Sequence, residues 1–392
     1  MGGGTQAPKD TLGQLLLALH VSGGTASRAE LTDRLGVGRS VMGYLLGELA
    51  DRSLIRIDRS GRKTDGGRPS HQVILASEAP TVVAAQIQPD TFTVANVGLG
   101  GQILSRSALP LSDLQPLEAL DELCALMTSH AHKGHNVLGY GVAVSSPVRS
   151  ADGYAAAALH LGWPGLPLHS LLSEHLSLPL AIGNDANLAA IAEYRHGAGR
   201  GASQLLYLTT GNVGLGGGVV SQGRLFLGAH GYAIEPGHIT VDPAGAQCPC
   251  GSTGCLEVEA DHRALLRLLS LDIPLRSIAA EVALLLDSPT PEVMAAVQQV
   301  NTRLAVGLGS LANIVDADRI VLGGTLGTLY SLEPDIVRRK LGERAFLADL
   351  AAVPITPGEL PDAMLLGAAE LAFQPLLDDP RNLAGSRKST AQ

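Results

Sequence analysis

Several features that would fix the class of this chain at once are missing from it. No stretch approaches the ~18 uninterrupted apolar residues that a membrane-crossing helix needs, although 45% of the 392 residues are hydrophobic. The start, MGGGTQAPKD, has no basic flank leading into an apolar core, so it does not read as a secretory signal. A cytoplasmic location with no membrane partner is therefore expected. Cysteine is scarce, four in all, and the redox spacing Cys-x-x-Cys does not occur. Disulfides are disfavoured in a reducing compartment, so clustered thiols are expected to hold a metal and not to form a bridge. The length exceeds what one hydrophobic core usually fills, which predicts two or three domains.

The net charge is −9, unevenly spread. Residues 1–80 hold ten Lys/Arg against eight Asp/Glu, a balance of +2, which leaves −11 on the remaining 312. The basic excess gathers where Arg52, Arg56, Arg59, Arg62, Lys63 and Arg68 face only Asp58 and Asp65. A cationic patch on an acidic chain suits phosphate contact at one end, although a solvated loop would carry the same run.

The context of that patch is helical. TLGQLLLALHVSGG has apolar residues at helical spacing and stops at Gly23–Gly24. SRAELTDRLGV starts on Ser27 with Glu30 three residues later, a capping-box pattern. RSVMGYLLGELADRSLI predicts a third helix with Val41, Leu45, Leu46 and Leu49 on its apolar stripe. Two helices joined by a tight turn make a helix-turn-helix, and IRIDRSGRKTDGGRPSHQVIL reads as the two strands and basic tip of a wing. Arg39, Ser40 and Tyr44 fall near the start of the recognition helix, while Arg62, Lys63 and Arg68 suit backbone or minor-groove contact. A three-helix unit can also be an interaction module; helix-turn-helix and basic wing in this order favour DNA.

From residue 80 the texture becomes β-rich. TVVAAQIQ, TFTVANVG and GQILSRSALP form one strand-turn-strand-turn-strand unit, and QLLYLTT, VGLGGGVVSQ and GRLFLG form another. Two such units separated by helices suggest a duplicated α/β architecture with a ligand-binding cleft between its halves. LPLAIGNDANLAAIAEYRHGAG runs from a strand through Asn184–Asp185 into a helix, where a bare N-cap role for Asp185 is the structural alternative to ligand contact. ADRIVLGGTLG is a strand entering a glycine turn, DAMLLGAAELAFQPLL a closing helix, and DDPRNLAGSRKSTAQ a disordered tail.

Three of the cysteines lie in CPCGSTGCLE. His238, Cys248, Cys250 and Cys255 supply one imidazole and three thiolates, a closed tetrahedral set for a structural zinc ion. Cys124, within LEALDELCALM, reads as core.

These motifs together resemble the ROK family (repressors, open reading frames and sugar kinases), in particular its DNA-binding branch. The resemblance rests on GGRP at 66–69, NDAN at 184–187 followed by GAGRG, GNVGLGGGVVSQGRLFLGAHG, Glu-x-x-His at 235–238 and CPCGSTGCLE. It implies an α/β fold: an N-terminal winged helix-turn-helix (1–78) followed by a two-lobed actin-like, ribonuclease-H-like ATPase fold. The first lobe would span 79–187, completed by a helix at 362–377; the second, with the zinc loop, would span 188–361, and 378–392 would be tail. It also implies a sugar site of Asn184, Asp185, Glu235, His238 and Glu257, with Asp185 the catalytic base if the chain is a kinase. Charged acceptors and an imidazole suit paired sugar hydroxyls.

Departures from the family pattern separate kinase from regulator. Kinase members open the first lobe with Asp-x-Gly-x-Thr; here the stretch is Gln86-Ile87-Gln88-Pro89-Asp90. Gln86 lacks the charge to hold magnesium, Gln88 adds a side chain where backbone must approach, and Asp90 would repel phosphate. Ser145-Ser146-Pro147 stands where Pro-Gly-Pro is common, and Ile234-Glu235-Pro236-Gly237 where Gly-Glu-Ile-Gly is favoured. The expectation is a sugar-responsive repressor without kinase activity, whose partners are an operator and a sugar or sugar-phosphate effector, acting as a homodimer or homotetramer. An active sugar kinase with an attached DNA-binding domain, and a regulator driven by a protein partner, are the alternatives.

Overall fold

Among the described residues, three sheets organise the chain. The computed structural model describes residues 10–58, 71–111, 115–134, 136–156, 162–210, 214–273 and 278–383. The N-terminal head begins with α1 (Thr11–Val21), where the Asp10 side chain accepts the Leu12 N–H and Leu12, Leu15, Leu16 and Leu19 are buried. α2 (Arg28–Leu35) opens with the expected capping box between Ser27 and Glu30 and ends at Gly36. α3 (Arg39–Asp51) buries Met42, Leu45, Leu46 and Leu49. Val41 is 49% exposed, which corrects the predicted stripe: the set starting at 42 has spacing i, i+3, i+4, i+7, and Val41 lies about 100° off it.

β1 (Thr25–Ser27), β2 (Ile55–Asp58) and β3 (Gln72–Leu75) form an antiparallel sheet in the order β1-β3-β2. Ile55 faces Leu75 and Asp58 faces Gln72, so the two strands expected to flank the basic tip are paired. The tip, with Arg62, Lys63 and Arg68, lies outside the described residues.

The next sheet is built from β4 (Thr81–Ile87), β5 (Thr91–Gly98), β6 (Ile103–Pro110), β7 (Val137–Val144) and β8 (Leu180–Asn184), with α4 (Pro116–Lys133) and α5 (Leu168–Ser173) between strands. Then come α6 (Asp185–His196), β9 (Gln204–Thr210), β10 (Leu215–Ser221), β11 (Arg224–Leu225), α7 (Leu256–Ala260), α8 (His262–Leu268), α9 (Ile278–Asp287) and α10 (Pro291–Val315). β12 (Arg319–Gly323), α11 (Gly324–Leu332), α12 (Pro334–Gly342), α13 (Ala348–Ala351), β13 (Ile355–Pro357) and α14 (Ala363–Asp378) complete the order. The strand orders are β6-β5-β4-β7-β8 and β11-β10-β9-β12-β13. In both, three strands form an antiparallel meander and two more add in parallel. The duplication expected from the strand texture is therefore present in topology and direction.

Some expected details shift. GRLFLG keeps only a two-residue strand, and β12 enters α11 directly at Gly324. The proposed lobe boundary at 187/188 falls inside α6. The tail does not start at 378: α14 includes Asp378, and Pro380–Asn382 form a 3-10 turn. Arg381 pairs there with Asp10 and with Glu48, which ties the segment to the head; residues 384–392 lie outside the described residues.

α14 lies against β7 on one side and α6 on the other. A Cβ on Gly367 would sit 2.0 Å from the Leu188 carbonyl oxygen, so glycine is needed for this approach. The buried core of the head, including Leu12, Leu16 and Leu46, continues into Ala95, Val97, Leu376 and Leu377. Among the described residues no helix is long and apolar enough to cross a membrane.

Candidate ligand pocket and metal centre

β8 ends at Asn184 and α6 begins at Asp185, so the expected ligand residues stand at the carboxyl end of a parallel strand, where α/β sheets characteristically bind ligands. The N-cap is Asn184, whose Oδ1 accepts the Asn187 N–H at 2.9 Å and whose Nδ2 donates to the Ser146 carbonyl at 3.2 Å. Asp185 is therefore not the cap; its Oδ1 accepts the Ala186 N–H at 2.7 Å. Asn184 absorbs the helix-starting task, and the Asp185 carboxylate lies close enough to neighbouring carboxylates to act on their charge.

Those neighbours are Glu235 and Glu257. Loss of solvation, then the carboxylates of Asp185 and Glu257, push the Glu235 carboxyl up to about 7. Glu235 is nevertheless an exposed residue, so solvent screens much of that effect. Ile234, immediately before it, has φ of 66°. This left-handed conformation suits glycine and is strained for a β-branched residue, which accounts for the glycine that the related motif favours. Glu257, 3% exposed, accepts from Arg263 Nη2 at 2.9 Å and from the Leu215 N–H at 3.3 Å. Asp261 also accepts from Arg263, with Oδ2 2.6 Å from Nε. Neither Arg263 nor Asp261 was legible as a site residue, because both act through Glu257.

His238 follows Glu235 in a 3-10 turn. Its Nδ1 lies 3.8 Å from Cys248 Sγ, and Cys250 Sγ lies 3.7 Å from Cys255 Sγ. All four ligand atoms lie within 4.8 Å of one another. A tetrahedral ion with bonds of about 2.3 Å to sulfur separates its sulfurs by about 3.8 Å, so the donor set fits a metal in type and spacing. Burial pushes the Cys248 thiol up to about 12 and raises Cys255, while the Ser252 N–H helps hold Cys250 down. A coordinated divalent cation would favour the thiolate form in all three. Glu259 Oε1 accepts the Ala246 N–H at 2.7 Å, which secures the cysteine loop to α7, the helix that carries Glu257.

Two of the cavities among the described residues bear on the predicted residues. A cavity of about 40 Å³ lies against Asn184, Asn187, Ser150 and Gly231; this holds one or two water-sized groups, so a larger guest requires its walls to part. A second cleft of about 270 Å³ is lined by Gln86, Gln88, Thr209, Thr210, His262 and Thr325, among others. Gln86 Nε2 lies 3.0 Å from Met364 Sδ. Arg106 is engaged with Asp362 at 2.8 Å. Burial, then Arg263, lowers His262 to about 4, so this ring is neutral near pH 7. Residues 211–213, which open the stretch GNVGLGGGVVSQGRLFLGAHG, lie outside the described residues.

On the head, Arg39, Ser40 and Tyr44 are all exposed along the first turns of α3, Tyr44 by 69%. Cys124 is buried, as expected for core. Another cluster escaped the sequence reading: His20, Arg195, His196 and Glu370 meet in the interior. Its one sequence signal is a lone carboxylate within the apolar run of α14, which demands a buried partner.

The sequence model of the ROK family matches residues 83–374. The xylose repressor of Caldicellulosiruptor bescii is 25% identical over 376 residues, covering 90% of this chain and 93% of the repressor. The glucokinase of Streptomyces coelicolor is 30% identical over 298 residues, covering 70% of this chain and 92% of the kinase. The crystal structure of a ROK family transcriptional regulator, a homologue of the E. coli MLC protein, superposes with a TM-score of 0.74 at 22% identity, covering 94% of this chain and 98% of that one. At that identity the last likeness speaks for the fold.

Proposed function

The chain belongs to the ROK family, and from that premise we propose that it is a sugar-responsive DNA-binding transcriptional regulator, a repressor without sugar kinase activity. The observation that carries this reading is the reach of the repressor match. It covers 90% of the chain, so about 39 of the 392 residues lie outside it, too few to leave out a head of some 78. Residues 1–78 act as the winged-helix DNA-binding domain in this reading, with Arg39, Ser40 and Tyr44 of α3 directed at bases and phosphates and Arg62, Lys63 and Arg68 at the backbone. Paired recognition helices read two half-sites about one helical turn apart, which calls for a homodimer or a larger assembly.

The effector, a sugar or sugar phosphate, binds Asn184, Asp185, Glu235, His238 and Glu257. Zinc on His238, Cys248, Cys250 and Cys255 is structural, because four protein ligands close the tetrahedron. It would hold the loop that presents His238 and the base of α7. Gln86, which lines the cleft between the two five-stranded sheets, supports the reading without phosphoryl transfer, since a kinase would need a magnesium-holding carboxylate there. Ligand shifts the regulator only by its difference in affinity between two conformations.

The test is selection of genomic fragments by the purified protein, sequenced with and without a mixture of sugars and sugar phosphates. A few enriched palindromic sites that change with the mixture are expected; diffuse, salt-sensitive binding would refute a specific reader. Asp185 and the 30% identity to a glucokinase favour one second reading, an active hexose kinase. ADP release from magnesium-ATP and hexose, lost on Asp185→Asn, would establish that reading instead.

A further inference from the structure

The interior cluster missed by the sequence reading joins three parts of the molecule. Glu370 lies on α14 with its side chain 2% exposed. His20 Nε2, from α1 of the head, lies 2.7 Å from Glu370 Oε1, and His196 Nε2, from the last turn of α6, lies 2.7 Å from the same oxygen. Arg195 Nη1 donates to the other carboxylate oxygen, and its Nη2 donates to Gln374 Oε1 at 2.9 Å. The head is thus tied, through one carboxylate, to the two helices that lie between the sheets.

The group has the composition of a metal site, but its hydrogen bonds argue otherwise. The Gly100 N–H donates to His20 Nδ1 at 2.8 Å, which leaves that nitrogen without a proton in the neutral ring. Nε2 then carries the hydrogen and donates it to Glu370, so no lone pair remains there for a metal. Gly100 has φ of 109°, a conformation reserved for glycine, and this turn between β5 and β6 aims its N–H at the histidine. Burial lowers the pKa of His20, consistent with the neutral form. Burial also opposes ionisation of Glu370, yet the surrounding His20, His196 and Arg195 hold its carboxyl well below the usual range. Arg195 neutralises the charge and the histidines supply direction.

The opposite end of α6 carries Asn184 as its cap and Asp185 as its first residue. Twelve residues at about 1.5 Å each put the pocket end and the His196 end about 17 Å apart on one rigid rod. Gly367 lets α14 pack with its backbone against Leu188 of that rod, so a shift of α6 cannot be absorbed by side chains at that point. A second, exposed tie runs from Arg381, just past α14, to Asp10 and to Glu48 of α3.

We propose that α6 and α14 form the mechanical connection between the effector pocket and the DNA-binding head, with the His20–Glu370 hydrogen bond as its coupling joint. This inference rests on the sugar-site reading above. Occupancy at Asn184 and Asp185 displaces α6, α14 follows, and the pull on His20 changes the angle of α1 and with it α3. His20 is a positioning residue and touches neither sugar nor DNA.

The experiment uses the full chain, with D-glucose and D-xylose as probes. Calorimetry reports binding, and hydrogen-deuterium exchange reports the amides of α1. In the wild type, a bound sugar should change α1 exchange. In His20→Leu, sugar affinity should stay within about twofold while the α1 response shrinks about tenfold or more. His20→Gln, whose amide nitrogen can reach the position of Nε2, should restore it; a purely structural role would not give that pattern. A wild-type chain that binds sugar with α1 unchanged overturns the connection and leaves the sugar site standing, and this arm needs no variant to fold. A folded His20→Leu chain with a full α1 response also overturns it. Where neither sugar binds the wild type, the same measurements pass to each sugar and sugar phosphate of the mixture above, and failure of all of them to bind would refute the sugar-site reading itself, and the inference would fall with it.

Discussion

Glu370 and Glu235 are the same residue type in opposite surroundings. Glu370 is enclosed in apolar helix packing, and each of its oxygens meets a donor from His20, His196 or Arg195. Glu235 is exposed beside Asp185 and Glu257, and its carboxyl is pushed up to about 7 by lost solvation and by those like charges. The contrast teaches that a carboxylate takes its task from its access to solvent together with the groups that face it: Glu370 is sealed among donors, Glu235 is exposed among acceptors. A carboxylate whose charge is already met by the protein serves as a joint. One held among its own kind is poised for a guest whose hydroxyls can donate to it.

The strongest way to break the comparison is Glu370→Gln. Removing the carboxylate leaves Arg195 buried without its counter-charge, and loss of one partner of such a pair costs about 3–5 kcal/mol. Chemical denaturation should show that loss, and a midpoint equal to wild type would mean the cluster is not the joint described. Cys250→Ser acts more locally. Bound metal should fall well below one equivalent by elemental analysis, and the sugar response should vanish as the loop carrying His238 loosens. Unchanged metal content together with an unchanged response would sever the metal loop from the pocket.

The smallest effect sharpens the comparison through pH. Glu235 holds its proton more tightly in the folded chain, at about 7, than its ordinary value of 4.5. The folded state therefore binds more protons between those values, and stability declines as pH rises from about 4.5 toward about 7, then levels off. The exposure of Glu235 to solvent keeps the slope shallow. Sugar hydroxyls that donate to the ionised carboxylate should bind more tightly at about pH 8 than at about pH 6. Glu235→Gln should flatten both profiles, and a variant that keeps the wild-type slopes would move the titration to another group.

Legibility in the sequence followed distance along the chain. The capping box of Ser27 and Glu30, the meander strands and the Cys-His spacing are local patterns, and each formed as the pattern requires. The stripe of α3 was read one residue early at Val41, because an apolar residue beside a stripe looks like part of it until a neighbour covers Met42. Asp185 was weighed as a helix cap, and the backbone gave that task to Asn184. Arg263 was invisible because its role is to hold Glu257, and an arginine in a short helix announces no partner.

By itself, then, the sequence determined what lies within a few residues of itself: the helical and strand periods, the caps, and the four side chains within His238–Cys255 whose type and spacing could hold a metal. Only the tertiary structure decided which distant groups meet. His20 and Glu370 are 350 positions apart, and no periodicity links them. Their pairing is imposed when α14 packs between the sheets and the core of the head closes onto it. Burial then makes every polar group inside find a partner, because leaving one unpaired costs more than the net gain of an ordinary hydrogen bond.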